Sequence, residues 1–193
     1  MGKIFYIMGK SASGKDTLYK CLMEKYEDRL KNIIGYTTRP IREGEKDGVE
    51  YFFTTEDVVK KLDEEGKIIE LREYQTMVGP WKYFTANDGQ IDLEKNDYLL
   101  IGTLQSYLSM REYFGQEYLI PIYIELDDGK RLTRALNREK NQKKPNYAEL
   151  CRRYLADDAD FSEEKLLEAG ITRRFENDNL EDTIHSISEY MNL

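Results

Sequence analysis

Eight residues near the start of the chain, Gly9-Lys10-Ser11-Ala12-Ser13-Gly14-Lys15-Asp16, have the G-x-x-x-x-G-K spacing of a loop that cradles phosphate. Gly9 and Gly14 permit a tight backbone whose successive N–H groups point into one anion-sized hollow, and Lys15 can reach the outer phosphates of a nucleotide. The last position departs from the pattern, because Asp16 stands where a metal-binding hydroxyl usually follows the lysine. Without a metal, a carboxylate about 4 Å from a phosphate costs on the order of 1 to 4 kcal/mol. With Mg²⁺ the sign reverses, since that ion prefers hard, charged oxygen ligands. The expectation is a nucleotide phosphate site whose Mg²⁺ is held by Asp16, with Thr17 as the spare hydroxyl.

A second set of residues suits an anionic acceptor. Arg39 and Arg42 lie three apart in "TTRPIREGEKDGVEY", and Tyr51 follows nine residues later. Paired guanidiniums hold a phosphate through forked hydrogen bonds, and a tyrosine hydroxyl adds another donor. Glu70 offers a carboxylate further along, and Arg134 and Arg138 lie four apart, on one face of a helix. The strand that would carry a second metal-directed acid reads "YLLIGT" from Tyr98 to Thr103 and ends without one, so Asp16 is expected to supply that charge from the loop.

Taken in order, "GKSASGKDT", "TTRPIREGE", "DGVEYFF", "GKIIE", "YFT", "RALNRE", "CRRY" and "FENDNL" run over nearly the whole chain, and together they resemble the guanylate kinases. The resemblance implies an α/β fold: a P-loop kinase with a five-stranded parallel sheet flanked by helices, an inserted mostly-β monophosphate-binding lobe and a lid. It implies transfer of the γ-phosphoryl of ATP to GMP, and to dGMP, with Mg²⁺ accompanying ATP as co-substrate. Carried over by position, residues Gly9, Lys10, Ser11, Ala12, Ser13, Gly14, Lys15, Asp16 and Thr17 would bind ATP, with Asn177 near its adenine. Arg39, Arg42, Tyr51 and Tyr83 would hold the GMP phosphate, while Glu70, Thr85 and Thr103 would face its base. Lys15, Arg39, Arg134, Arg138 and Arg153 would gather on the transferring group.

The departures are specific. Gly35 replaces the serine before the Thr-Thr-Arg run, and the two aspartates of the L-D-x-D strand end become Ile101 and Thr103. Guanine presents N1–H and N2–H₂ donors that suit a carboxylate; Glu70 alone remains for them, with the Thr103 hydroxyl as a weaker acceptor. One lost charged hydrogen bond costs about 1.5 to 3 kcal/mol, which relaxes discrimination. An aspartate after the loop lysine and an acid-free strand end also look like ribose 1,5-bisphosphate phosphokinases, the alternative reading. Guanylate-kinase-like folds that only bind peptides are a third class, set apart by an eroded phosphate loop.

The elements that must position these residues follow from pattern. Ile4–Met8 is β-prone, and Leu18, Cys21 and Leu22 have helical spacing, giving the strand, loop and helix that a phosphate loop requires. Ile33-Ile34 begins a second strand. "TTEDVVKKLDEEGK" is a helix capped by Thr55 and stopped by Gly66, and "IIELREY" and "WKYFT" are short strands. Tyr98–Ile101 and Leu119–Leu126 are strands, Leu104–Phe114 a helix, and Asp128 opens another that runs into the polar tip "NREKNQKKPN". Tyr147–Ala159 is helical, Arg173–Glu176 a short strand and Leu180–Met191 the closing helix. Alternating strands and helices predict a parallel sheet covered on both faces. Residues 1–193 read as one domain: core 1–35, 96–137 and 153–193, lobe about 36–95, lid about 138–152.

Composition bounds the partners. A net charge of −8 argues against broad attraction to nucleic acid or an anionic membrane, so an anionic ligand must be gathered by a local Arg and Lys cluster. Cys21 and Cys151 lack metal-type spacing and read as buried thiols, and His185, the single histidine, as a surface helix residue. Trp81 and most of the 15 tyrosines read as packing residues. The expectation is a cytoplasmic protein, monomer or homodimer, acting on the small molecules ATP and GMP.

Overall fold

The chain's first apolar run shows how the fold is organised. Ile4, Tyr6 and Met8 enter one buried cluster with Tyr98, Leu104, Met110 and Ile171. Phe5 and Ile7 enter another with Leu18, Leu22, Leu99, Ile122 and Ile187. Alternate residues of one strand therefore serve two cores, one on each face of a sheet. Burying a side chain such as Ile7 is worth about 1.5 to 3 kcal/mol, so this strand is a firm anchor for the loop that follows it.

The structure, a computed structural model, describes residues 1–42, 44–76 and 79–193. In chain order the first elements are β1 (Ile4–Met8), α1 (Lys15–Lys25), β2 (Leu30–Asn32), β3 (Tyr36–Thr37), β4 (Phe52–Phe53), α2 (Glu56–Glu64), β5 (Ile68–Thr76) and β6 (Gly79–Ala86). There follow β7 (Asp97–Ile101), α3 (Leu104–Phe114), β8 (Leu119–Glu125), α4 (Asp128–Lys140), α5 (Tyr147–Asp160), α6 (Glu163–Glu168), β9 (Arg174–Glu176) and α7 (Leu180–Met191).

The main sheet has the order β2-β7-β1-β8-β9, and all its pairs are parallel. It is the five-stranded parallel sheet flanked by helices that the sequence predicts. Strand order reverses at β1, whose carboxyl end carries the glycine loop, the place where open α/β sheets bind ligands. A second, mixed sheet has the order β4-β3-β6-β5 and packs Phe84 and Ala86 against Val59 of α2. The two short strands expected around "IIELREY" and "WKYFT" are the arms of one long antiparallel hairpin, β5 with β6. The segment expected as a lobe includes Glu43, Met77 and Val78, which lie outside the described residues.

Several elements differ from the sequence reading, most by a residue at one end. The strand expected at Ile33-Ile34 lies at Leu30–Asn32, paired with β7, and the chain then crosses through Ile33–Gly35 to the second sheet. Buried Ile33 caps a core cluster there without joining a ladder. The short helix α6 carries no long periodic run and was not anticipated; its Leu166 reaches the first core. Cys21 is half-buried and Cys151 exposed, because residue 151 falls on the solvent side of α5, so the expectation of two buried thiols fails. Among the described residues no helix is long and apolar enough to cross a membrane.

Candidate active site

The glycine loop owes its shape to backbone that other residues resist. Gly9 has φ 155° and Gly14 φ 91°. A Cβ at Gly9 would collide with the carbonyl oxygen of Ile124, and one at Gly14 with the amide of Asn177. Ala12 also has a positive φ, 64°, a conformation that costs an L-residue roughly 1 to 2 kcal/mol. Ser13 is fully buried, and its Oγ has no hydrogen-bond partner among the described residues. Lys15 opens α1; its Nζ stands 3.9 Å from Asp16 Oδ2, and the Asp16 side chain is 77% exposed.

Two supports brace this loop. Buried Asn177 donates its amide to the Ser13 carbonyl at 2.8 Å, and the Arg134 guanidinium donates to the Asn177 carbonyl at 3.3 Å beside Gly14. On the other side, Lys10 Nζ donates to Asp158 at 2.6 Å and the Ser11 N–H to Asp157 at 2.8 Å. Arg131, only 1% exposed, donates to Asp157 and Asp158 at 3.2 Å each and to Asp128 at 3.0 Å, with the Tyr154 ring 4.0 Å from its guanidinium carbon. An open groove of about 560 Å³ lined by Gly129, Lys130, Thr133, Arg134 and Asp178 runs beside the loop.

The second sheet presents a different face. Antiparallel register sets Glu70 opposite Thr85, Arg72 opposite Tyr83 and Tyr74 opposite Trp81. Residues two apart on a strand share a face, so these six side chains line one side of the hairpin. Thr85 Oγ1 donates to Glu70 at 3.0 Å. The rings of Tyr51 and Tyr83 meet at 5.6 Å, and the Arg39 guanidinium lies 5.3 Å from the Tyr51 ring. A cleft of about 930 Å³ is lined here by residues of the hairpin, among them Arg72, Tyr74, Trp81 and Tyr83, by Tyr51, and by Glu149 and Arg152 of α5. Trp81, expected to pack, lines this cleft instead.

The charges in this region are already paired. Both ends of the Arg39 fork meet Glu45, at 2.7 and 2.6 Å. That hydrogen bond holds the Glu45 carboxyl down at about 2 and, despite burial, raises the Arg39 guanidinium above its ordinary value. Burial pushes the Tyr51 phenol up, and the Tyr6 phenol further. Tyr6 lies beneath the end of β7, its hydroxyl 2.5 Å from Ser106 Oγ. Any side chain at Gly102 would collide with that hydroxyl. Thr103 caps α3, accepting from the Ser106 N–H at 3.2 Å. The acid-free strand end is thus filled by hydroxyls.

Not every expected residue is drawn in. Arg42 is exposed, its N–H donating to Glu45 at 2.8 Å. Arg138 is exposed on α4, and Arg153 sits on α5 with Nε 3.6 Å from Glu149. The Thr103 hydroxyl, expected to face the base, accepts the Ser106 N–H in the cap of α3. Arg72, Glu45 and Arg131 were missed by sequence reasoning; strand alternation from Glu70 was the available signal for Arg72. Among the described residues no three His, Cys, Asp or Glu side chains converge on an ion site. Exposed Asp16 beside Lys15 fits a cation that arrives on a triphosphate and keeps most of its waters.

Fold and site together define a phosphate-loop α/β protein with a second sheet beside the loop. A family model described as guanylate kinase matches residues 1–193. The chain belongs to the guanylate kinase family. It is 37% identical over 120 residues to the guanylate kinase of Caldanaerobacter subterraneus subsp. tengcongensis, covering 62% of this chain and 56% of that protein. It is 34% identical over 98 residues to the guanylate kinase of Mycoplasma pneumoniae, covering 48% and 41%. The chain therefore spans about half the length of these curated relatives. Among solved structures, guanylate kinase from Anaplasma phagocytophilum superimposes with a TM-score of 0.68 over 99% of this chain and 85% of that one, at 20% identity. That likeness is one of fold.

Proposed function

We propose that the chain is a nucleoside monophosphate kinase that moves the γ-phosphoryl of ATP to GMP, and to dGMP. The observation that carries the reading is the pairing of a braced phosphate loop at the end of β1 with one hairpin face that bears Glu70, Tyr83 and Thr85 beside Arg39 and Tyr51. An oxygen of the acceptor phosphate attacks the γ-phosphorus, the bond to the β,γ-bridging oxygen breaks, and ADP and GDP leave. Such a transfer needs alignment and charge neutralisation more than a protein nucleophile.

In this reading residues 9–17 hold the triphosphate, with Lys15 on its outer oxygens. The groove beside Arg134 and Asp178 takes the adenosine side, and Asn177 acts by bracing the loop. Arg39, Arg42, Tyr51 and Tyr83 take the acceptor phosphate, which requires Arg39 to exchange Glu45 for that phosphate. Glu70 and Thr85 read the base. Arg134, Arg138 and Arg153 close on the transferring group as segment 138–152 moves. Asp16, with Thr17, would hold Mg²⁺, which when bound would supply charge neutralisation to the triphosphate.

The test is coupled ADP release with ATP and Mg²⁺ against GMP, dGMP, AMP, UMP, CMP and ribose 1,5-bisphosphate. Turnover with GMP and dGMP above all others is expected. Activity on the sugar bisphosphate alone would favour the second reading, which the hydroxyl-filled end of β7 supports. No turnover with any acceptor would leave a binding module.

A further inference from the structure

Among the described residues Glu70 is the carboxylate on the cleft face of the hairpin, and it is occupied. So is Glu149 of α5 at the cleft, which Arg152 holds through a fork. Arg72 Nε donates to Glu70 Oε2 at 2.9 Å and Arg72 Nη2 to Glu70 Oε1 at 3.2 Å. Two parallel N–H donors on the two oxygens of a carboxylate are the same array that guanine offers through N1–H and N2–H₂. Thr85 takes a further lone pair of Oε1 at 3.0 Å. The Glu70 side chain is 3% exposed, so it has no water to fall back on, whereas the Arg72 side chain is 19% exposed and borders the cleft.

We propose that Arg72 is a specificity-determining residue, an internal occupant of Glu70 that an acceptor base must displace. The inference rests on the reading of this cleft as the acceptor site. Guanine can replace the fork donor for donor. Adenine presents a bare N1 acceptor and cannot, so it binds with Arg72 still on Glu70, where the guanidinium shields it from the carboxylate's repulsion. Displaced Arg72 stays near the rings of Tyr51, Tyr74, Trp81 and Tyr83, which line the same cleft and receive a cation favourably on their faces. Arg72 therefore weakens GMP binding and narrows the gap between GMP and AMP. With Ile101 and Thr103 in place of the family's acids, the setting of Glu70 carries most of the base discrimination.

The experiment is calorimetric titration of GMP and of AMP into the wild-type protein, Arg72→Leu and Arg72→Lys, alongside turnover with ATP. Arg72→Leu should tighten GMP on the order of tenfold while AMP weakens or stays level, so the GMP-to-AMP ratio rises. Arg72→Lys keeps the charge without the fork and should tighten GMP by a smaller factor; it decides the matter if the leucine variant does not fold. Weaker GMP binding in either folded variant, or equal shifts for GMP and AMP, would overturn the proposal. Wild type that turns over GMP with variants that bind it no better defeats the Arg72 role alone. GMP binding that appears only in the variants supports the Arg72 role and defeats the wild-type activity. No GMP binding by any of the three defeats both.

Discussion

At the scale of single residues, the chemistry rests on who neutralises whom. Asp16 is exposed beside Lys15 with no other acid near enough to complete an ion site among the described residues, so its worth depends on the triphosphate. Replacing Asp16 by Ala should raise the Mg²⁺ concentration for half-maximal turnover by about tenfold or more, and Asp16→Ser should recover much of the loss. An unchanged Mg²⁺ titration curve for the alanine variant would remove Asp16 from the metal. Glu45 supplies a pH signature. Its folded-state value of about 2 lies below the ordinary 4.5, chiefly through the Arg39 hydrogen bond. Its contribution to stability is therefore whole above pH 4.5 and is lost as pH falls toward 2. Acid unfolding of Glu45→Gln should show a flatter slope in that window than wild type; equal slopes would mean that the pair does not titrate with folding.

At the scale of elements, the phosphate loop is shaped by its neighbours as much as by its glycines. The helices α4 and α5 meet through Arg131, and the acids it holds grip Lys10 and the Ser11 N–H. Substituting Arg131 by Met would leave Asp157 and Asp158 side by side without their buried cation. Allowing for the half-exposed Asp128 and Asp158, unfolding stability should fall by about 2 kcal/mol, read from the urea midpoint. The KM for ATP should rise as the loop loses its brace. A change below about 0.5 kcal/mol with unaltered KM would class the network with ordinary surface ion pairs. The hairpin β5–β6 makes the complementary point: period two along β5 puts Glu70, Arg72 and Tyr74 on one side, and the ladder supplies Thr85, Tyr83 and Trp81 opposite.

At the scale of the molecule, one sheet carries the phosphate loop and the other the hairpin face proposed for the acceptor, with Arg152 of α5 lining the cleft. The proposed phosphoryl transfer, to spare ATP from water, would require this cleft to shut. Segment 141–146, the polar tip between α4 and α5, is exposed and carries Lys143 and Lys144. Trypsin cleavage after Lys140 and Lys143 should be slowed by a non-hydrolysable ATP analogue and GMP together, and little by either alone. Equal cleavage in all states would mean that this segment does not close on the two ligands.

The phosphate loop, the helices Leu104–Phe114 and Leu180–Met191 and the parallel core were legible in the sequence, because local spacing alone dictates them: glycines where backbone must turn, and apolar residues at strand or helix period. The charged residues expected to serve two phosphates were named from spacing together with the family resemblance. Only the tertiary structure decided how those charges are spent. Arg39 and Glu45 are near neighbours, yet nothing in the sequence says that the fork closes on that acid. Arg131 and Asp157 are brought together by the packing of two helices, and the Tyr6 hydroxyl meets Ser106 where α3 packs on the face of the sheet that carries Tyr6. An ion pair or hydrogen bond depends on distance and burial. Neither is encoded by residue type, and both are settled when distant elements pack.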